Sequence, residues 1–139
     1  MAELSKTAAS LRISGDDLDP DEVAQLLGRK PDLARRKGEI VQAASGERVS
    51  RTGIWSAKAD HRTPGDLDLQ VSELLAGTTD DLATWLRLAD RYSVDVFCGF
   101  FMKDANEGLS ISPQTLQTLG ERGIALGLDI YAPNRAIED

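Results

Sequence analysis

Few side chains in this sequence are of the types that perform chemistry. The chain has one histidine, His61, and one cysteine, Cys98. A lone histidine in a polar loop favours a surface position over a general base, and no second histidine is present to support zinc or triad chemistry. Cys98 alternates with Val96 and Phe100, which predicts a buried structural thiol, with a nucleophile as the alternative. We therefore predict neither a bound metal nor a cofactor.

Charged groups on the predicted strands offer a second kind of chemistry. Asp95 and Asp129 could form an acid and base pair, although the sequence does not show that they meet, and exposed or salt-bridged aspartates are the alternative. Arg12 is predicted to share their side of a sheet, where it either pairs with an aspartate across strands or orients a ligand. These three residues therefore enter the candidate binding site.

A basic run precedes Gly38 and consists of Arg35, Arg36 and Lys37. Such a run is typical of a charged surface loop, and phosphate binding with close backbone approach at the glycine is the alternative. The chain contains no P-loop, dinucleotide-binding, HExxH, GxSxG or CxxC pattern. The sequence therefore favours no particular catalytic class.

The elements that must position these groups indicate an α+β domain. Residues 94–132 are typical of a strand, a hairpin, a capped helix and a second strand, with Ser112 and Pro113 starting the helix. The other predicted elements are strands near 11–13 and 52–58, helices near 20–27, 67–76 and 82–92, and an irregular excursion over 29–51 with a short strand near residue 40. We predict a mainly antiparallel sheet of about five strands with helices on one face and ferredoxin-like connectivity from residue 52 onward.

Helix signals are clearest around the two predicted starts. Asp19 is a predicted cap with Pro20 in the first helical position. For the helix near 82–92, Thr78 with Asp81 predicts a capping-box start. Its apolar stripe predicts that Trp85 lies in the core, on one helical face together with Leu82, Leu86 and Ala89.

Strand alternation divides the predicted sheet into a covered and a mixed face. Val94, Val96 and Cys98 are predicted to point toward the helices. The mixed face is predicted to carry Arg12, Ser14, Asp95, Phe97, Gly99, Phe101, Ser110, Asp129 and Tyr131, together with Trp55. Such a face is either an open antiparallel surface or a surface for a ligand or partner, where aromatic area supplies burial and charges supply orientation.

Composition limits the classes of partner. With 139 residues the chain is predicted to form one domain, with an ordered core over about 8–132 and flexible termini. A net charge of -7 and a pI near 4.7 oppose binding to nucleic acid or an anionic membrane and make a basic partner or a neutral ligand easier to accommodate. One cysteine and no apolar run after Met1 predict a cytoplasmic location.

Several segments together resemble the bacterial domain-of-unknown-function family numbered 4279. They are LRISGDDLDPDEVAQLLG, RRKG, RTGIWS, VDVFCGFF and GLSISPQTLQTLGERGIALGLDIYA. The resemblance covers roughly residues 11–132 and implies no activity. It marks as typical positions Arg36, Lys37, Gly38, Gly53, Trp55, Asp95 and Gly99. The chain departs mildly from the pattern in Phe100 and Phe101, where a tryptophan would also fit.

We predict a non-catalytic protein-interaction module of a bacterial cytoplasmic protein, in an immunity-like or regulatory setting. The alternative is a small-ligand-binding or hydrolytic enzyme that uses carboxylates on the open sheet face beside Trp55, and a closed concave pocket would favour it. The expected partner is a protein, and the sequence leaves its identity and the oligomeric state open. The predicted binding residues are Arg12, Arg36, Lys37, Trp55, Asp95 and Asp129.

Overall fold

The computed structural model describes residues 2–133, which form nine strands and four helices. In chain order these elements are β1 (Ala2–Glu3), β2 (Lys6–Gly15), α1 (Pro20–Leu27), β3 (Leu33–Arg35), β4 (Ile40–Ala43), β5 (Gly46–Val49), β6 (Gly53–Lys58), α2 (Leu67–Leu75), α3 (Leu82–Arg91), β7 (Ser93–Phe101), β8 (Glu107–Gly108), α4 (Pro113–Glu121) and β9 (Ala125–Tyr131). None of these helices is long and apolar enough to cross a membrane.

Five strands form one sheet in the order β3-β6-β2-β7-β9. The helices pack on one side of it, with α1 on β6, α2 on β2, α3 on β7 and α4 on β9. The α+β class is therefore confirmed, and the sheet is mixed, because β7 and β9 run parallel while the other pairs are antiparallel. The parallel pair follows from helix α4, because a helical crossover between two strands returns the chain to the end of the sheet where the first strand began. The ferredoxin-like connectivity is not confirmed, because β2 lies between β6 and β7.

The helix starts follow capping chemistry. Asp19 caps α1 by accepting a hydrogen bond from the N–H of Asp21, and Pro20 takes the first helical position, as predicted. At α3 the predicted capping box is wrong, because Asp81 itself is the cap and its carboxylate accepts from the N–H of Ala83 and the hydroxyl of Thr84. The hydrogen bond to Asp81 offsets the cost of burying the Thr84 hydroxyl.

The buried face of α3 differs from the predicted one. Trp85 is fully buried, as predicted, and its indole N–H donates to the carbonyl of Thr79 at 2.8 Å. Leu88 is also buried, whereas Leu82 and Leu86 are 36% and 50% exposed. The predicted core face was therefore correct at Trp85 and wrong at the two leucines.

The core lies between the helices and one face of the sheet. Val96 and Cys98 are fully buried there, so the predicted direction of Cys98 is confirmed. Burial raises the pKa of its thiol to about 12. A thiol with that pKa is almost entirely protonated near neutral pH, which agrees with a structural residue rather than a nucleophile.

Two segments differ from their predictions. The short strand predicted near residue 40 is present as β4. The rest of residues 29–51 is less irregular than predicted, because β3 pairs with β6 while β4 and β5 form a hairpin in which Ile40 faces Val49. These strands are only three or four residues long, too short for alternation to be recognised. The hairpin predicted within residues 94–132 is also absent from the described chain. There β8 ends at Gly108 and pairs in parallel with β1 instead of forming a hairpin.

Candidate functional site

The side of the five-stranded sheet away from the helices is called the open face here. Strand register brings most of the predicted mixed face together on it. Its described members include Lys6, Ala8, Ser10, Arg12, Ser14, Arg35, Lys58, Asp95, Phe97, Gly99, Phe101, Asp129 and Tyr131. Ser110 lies outside the strands, between β8 and α4.

Arg12 and Asp95 are direct cross-strand neighbours in the middle of this face. The guanidinium donates two hydrogen bonds to the carboxylate, from Nε to Oδ1 at 2.9 Å and from Nη2 to Oδ2 at 2.8 Å. This hydrogen bonding raises the pKa of Arg12. The guanidinium also lies 4.3 Å from the centre of the Phe97 ring, within cation–π distance. The pair thus holds Arg12 flat against the sheet, as in the cross-strand alternative.

Trp55 does not lie on the open face, and its predicted placement there is wrong. It pairs with Ile13 and is fully buried on the helix side. Its neighbours Ile54 and Ser56 take the positions that point the other way, since successive side chains alternate across a strand. A residue without solvent contact cannot touch a partner directly, so any effect of Trp55 on binding would pass through the fold.

Asp129 and Asp95 are not direct neighbours in the strand register. Asp129 faces Gly99, which is four residues along β7 from Asp95, so the Cα atoms of the two aspartates are roughly 14 Å apart. Asp129 instead accepts a hydrogen bond from the Tyr131 hydroxyl at 2.7 Å. With Trp55 on the other side, the enzyme constellation considered from the sequence is not assembled.

Arg36 and Lys37 lie beside the start of α1, where they pair with acidic residues. One Arg36 nitrogen is 2.9 Å from Asp19 and 3.0 Å from Asp21, and Lys37 is 3.1 Å from Asp16. The hydrogen bond with Asp19 raises the pKa of Arg36. These contacts tie the loop after β3 to the first turn of α1. The structure does not bring the two cations together with Arg12 or Asp95.

A shallow depression of about 220 Å³ lies beside the Arg12–Asp95 pair, and it is called the aromatic groove here. Small residues form its floor, aromatic rings its walls, and a lysine and the histidine its rim. In that order they are Ala8, Ser10 and Gly99, then Phe97, Phe101 and Tyr131, then Lys58 and His61. The surface histidine predicted from the sequence therefore borders this groove.

Gly99 shapes the groove by leaving room for aromatic rings. A Cβ atom at Gly99 would lie 3.0 Å from Cε2 of Phe101. The Phe101 and Tyr131 rings stack with centres 4.7 Å apart and planes 2° apart, and the Lys6 ammonium lies 4.9 Å from the Phe101 centre. This wall is a large, rigid apolar surface at little conformational cost, which suits it to burying a partner side chain.

A second depression, of about 830 Å³, lies between β3 and the β4–β5 hairpin. Leu33, Arg35, Val41, Arg48, Val49, Ser50 and Arg51 line it. Arg35 is 3.6 Å from Glu39, and no carboxylate among residues 2–133 lies within salt-bridge distance of Arg48 or Arg51. Sequence reasoning missed this arginine cleft because it missed the hairpin. The signal was the Ser45-Gly46 turn between Ile40-Val41 and Val49.

Charge on the open face differs from charge on the whole chain. Its strand positions carry four cations, Lys6, Arg12, Arg35 and Lys58, against two carboxylates, Asp95 and Asp129. The chain as a whole has a net charge of -7. Both carboxylates also accept hydrogen bonds from neighbours on the same face. The strand positions of the open face therefore carry two more cations than carboxylates, although the whole chain is acidic.

Comparison with known proteins identifies a family. A family model described as "Domain of unknown function (DUF4279)" matches residues 5–133, which is nearly the whole chain. No curated protein and no solved structure matches the chain.

Proposed function

The chain belongs to the DUF4279 family, whose function is unknown, and we propose that its domain is a non-catalytic module that binds an acidic segment of a partner protein on the open face. The segment carries at least one apolar or aromatic side chain that enters the aromatic groove. The bacterial and cytoplasmic setting, and an immunity-like or regulatory role, stay predictions from the sequence.

The observation that carries the proposal is an aromatic wall beside cations that have no carboxylate partner. Tyr131 is 46% exposed although it stacks on Phe101. Among residues 2–133 no carboxylate lies within salt-bridge distance of Lys6 or Lys58. Exposed aromatic area supplies the energy of burial, and cations at the rim select and orient an acidic chain.

The size of the groove favours a protein segment over a small molecule. Pockets for small ligands commonly enclose about 300 to 1,000 Å³. The aromatic groove is smaller, at about 220 Å³, and one or two side chains of a peptide would fill it. The arginine cleft is larger, but its walls are open, since Val49 is 63% exposed. It can receive the continuation of an acidic chain along the same face.

The test compares matched variants of the purified domain. Proteins are captured from the source cell on wild-type domain, and each captured protein is purified and titrated against the variants by calorimetry. Tyr131→Ser and Phe97→Ser should each weaken binding by at least tenfold, because each removes an aromatic ring that the bound partner would cover. Leu26→Ser should leave the affinity unchanged, because Leu26 is an exposed leucine on α1, on the helix side.

A charge-reversal pair tests the acidic nature of the partner. Lys58→Glu should weaken binding and reduce its dependence on salt, whereas Lys30→Glu, in the exposed loop after α1, should change neither by more than a small factor. A captured protein that binds Tyr131→Ser and Lys58→Glu as tightly as wild type would place the interaction elsewhere and contradict the proposal.

A further inference from the structure

Strand β9 forms an edge of the sheet, and its outer side has no strand partner among the described residues. It is seven residues long, ALGLDIY, and contains no lysine, arginine or proline. On its helix side Leu128 is 46% and Ile130 60% exposed, because α4 leaves them partly uncovered. Natural edge strands are usually blunted by shortness, positive charge or proline, and a long apolar edge invites another strand.

The opposite edge is protected in the ways that β9 is not. Strand β3 has three residues, and one of them is Arg35. The chain then continues into the β4–β5 hairpin, which leaves little regular backbone free for pairing. The contrast between the two edges singles out β9.

Backbone hydrogen bonding determines which residues of β9 face outward. The carbonyl of Tyr131 accepts from the N–H of Met102 at 3.1 Å, so the polar groups of Tyr131 point toward β7. Backbone groups alternate sides along a strand, so those of Ala125, Gly127 and Asp129 point the same way. The N–H and C=O groups of Leu126, Leu128 and Ile130 therefore point to the free edge.

We propose that this edge pairs with β9 of a second copy of the chain, antiparallel and centred on Leu128. In this register Leu128 faces its own copy and Leu126 faces Ile130 of the second copy, twice by symmetry. All three outward residues then sit in hydrogen-bonded pairs, which gives about six bonds between the strands. The sheets of the two copies join into one.

Side-chain chemistry selects this register over its neighbours. On the helix side it pairs leucine with leucine and leucine with isoleucine, so the exposed apolar area of both copies is buried. On the open face Asp129 meets Gly127 of the second copy, and like charges do not meet. A register centred on Asp129 would place two carboxylates opposite each other. A register centred on Gly127 would leave Ile130 without a partner residue in β9 of the second copy. Self-complementarity of this kind is what a two-fold interface requires.

The expected dimer is weak, because a strand of seven residues is about 24 Å long and buries less than the roughly 800 Å² per partner of a standard interface. Each copy also carries a net charge of -7. Added salt screens this repulsion and should strengthen the dimer, which is the opposite of the salt effect expected for the acidic partner.

Sedimentation velocity of the full chain from low to high micromolar concentration tests the proposal. Wild type should shift from monomer to dimer, and Leu128→Lys should weaken the dimer by at least tenfold because two ammonium groups meet on the symmetry axis. Leu26→Lys is the matched control, since Leu26 is exposed on α1 against β6, away from this edge, and should dimerise like wild type.

Cysteine crosslinking tests the register and does not depend on the folding of a charged variant. Cα atoms of a hydrogen-bonded antiparallel pair lie about 5.5 Å apart, which is within the range of a disulfide. Leu128→Cys should therefore form a covalent dimer under mild oxidation. Leu126→Cys alone should not crosslink, because residue 126 of the second copy faces residue 130 and lies roughly 13 Å away along the strand. A mixture of Leu126→Cys with Ile130→Cys should crosslink, because these two positions face each other. Because Leu128 is the cross-strand neighbour of the free thiol Cys98, all three cysteine variants are made in a Cys98→Ala background, which excludes an intrachain disulfide.

Two results would overturn the proposal. One is a wild-type chain that stays monomeric at the highest concentration while Leu128→Cys fails to crosslink. The other is a dimer that persists unchanged in Leu128→Lys. Neither bears on partner binding at the aromatic groove, which is measured with different variants.

Discussion

The two tryptophans of this chain are both fully buried but differ in hydrogen bonding, and replacing each with phenylalanine isolates that difference. The indole N–H of Trp85 donates to the carbonyl of Thr79 at 2.8 Å. The indole N–H of Trp55 has no acceptor among residues 2–133. Both side chains are 0% exposed, so the loss of apolar bulk is similar at the two sites and largely cancels in the comparison.

The magnitude follows from the hydrogen-bond terms alone. Trp85→Phe loses a hydrogen bond with a net value of about 1 kcal/mol. Trp55→Phe removes an unpaired buried donor, whose burial costs about 1 kcal/mol or more. We therefore expect Trp85→Phe to be less stable than Trp55→Phe by about 2 kcal/mol in free energy of unfolding.

Urea unfolding followed by circular dichroism at 222 nm, a wavelength that reports on helices, measures both variants without relying on tryptophan fluorescence. Trp85→Ala provides the upper reference, at about 3 to 5 kcal/mol. The reasoning would be refuted if Trp55→Phe cost as much as Trp85→Phe. That result would mean that the buried Trp55 indole has a polar partner within the fold.

Three further predictions concern other sites. Cys98→Ser should cost about 1 to 3 kcal/mol, because it buries an extra hydroxyl, and native Cys98 should react with a thiol reagent only after unfolding. Burial raises the pKa of this thiol from 9.0 to about 12. The stability that the buried, protonated thiol contributes is therefore complete below pH 9 and is lost as the pH rises toward 12. If the free energy of unfolding of the wild type, relative to that of Cys98→Ala, did not change over this pH range, the result would argue against this account. Gly53→Ala should destabilise the fold by about 1 to 3 kcal/mol, since its Cβ would lie 2.8 Å from two carbonyl oxygens. Gly120→Ala, which has open space around it in α4, should stabilise the fold by about 0.5 to 1 kcal/mol. Urea unfolding measures both variants. A double-mutant cycle on Arg12 and Asp95 should give a coupling of about 0.5 to 1 kcal/mol that falls with salt, because both side chains are partly exposed and screened; a coupling that salt leaves unchanged would contradict that account.

Local chemistry made much of the fold predictable. Asp19 and Pro20 start α1 where their capping and ring geometry require, and alternation correctly directed Cys98 into the core. Both signals depend on neighbours within a few residues. Strand order does not, because the insertion of β2 between β6 and β7 joins segments about forty residues apart or more, and no local pattern records it.

The candidate site was predicted in part for the same reason. Alternation along β7 and β9 places Asp95, Phe97 and Tyr131 on one face without knowledge of strand order. Trp55 was misplaced because its strand carries apolar or small residues on both sides, so that alternation does not fix its direction. The arginine cleft could not be predicted, because it depends on how the β4–β5 hairpin lies against β3.

Several positions that the family resemblance marks as typical have structural explanations. Arg36 and Lys37 tie their loop to the start of α1 and the turn before it, through Asp19 and Asp16. Gly38 has a φ of 86°, a left-handed conformation that favours glycine. Gly53 has no space for a Cβ, and Trp55 fills the core. None of these residues needs a ligand to account for its type.

The remaining typical pair, Asp95 and Gly99, has no role in the core. Asp95 holds Arg12 over the Phe97 ring, and Gly99 leaves the space that Phe101 occupies in its stack with Tyr131. Each residue thus shapes one wall of the aromatic groove. An aspartate and a glycine at these positions make an exposed aromatic surface rigid, which adds little to folding but lowers the entropic cost of binding.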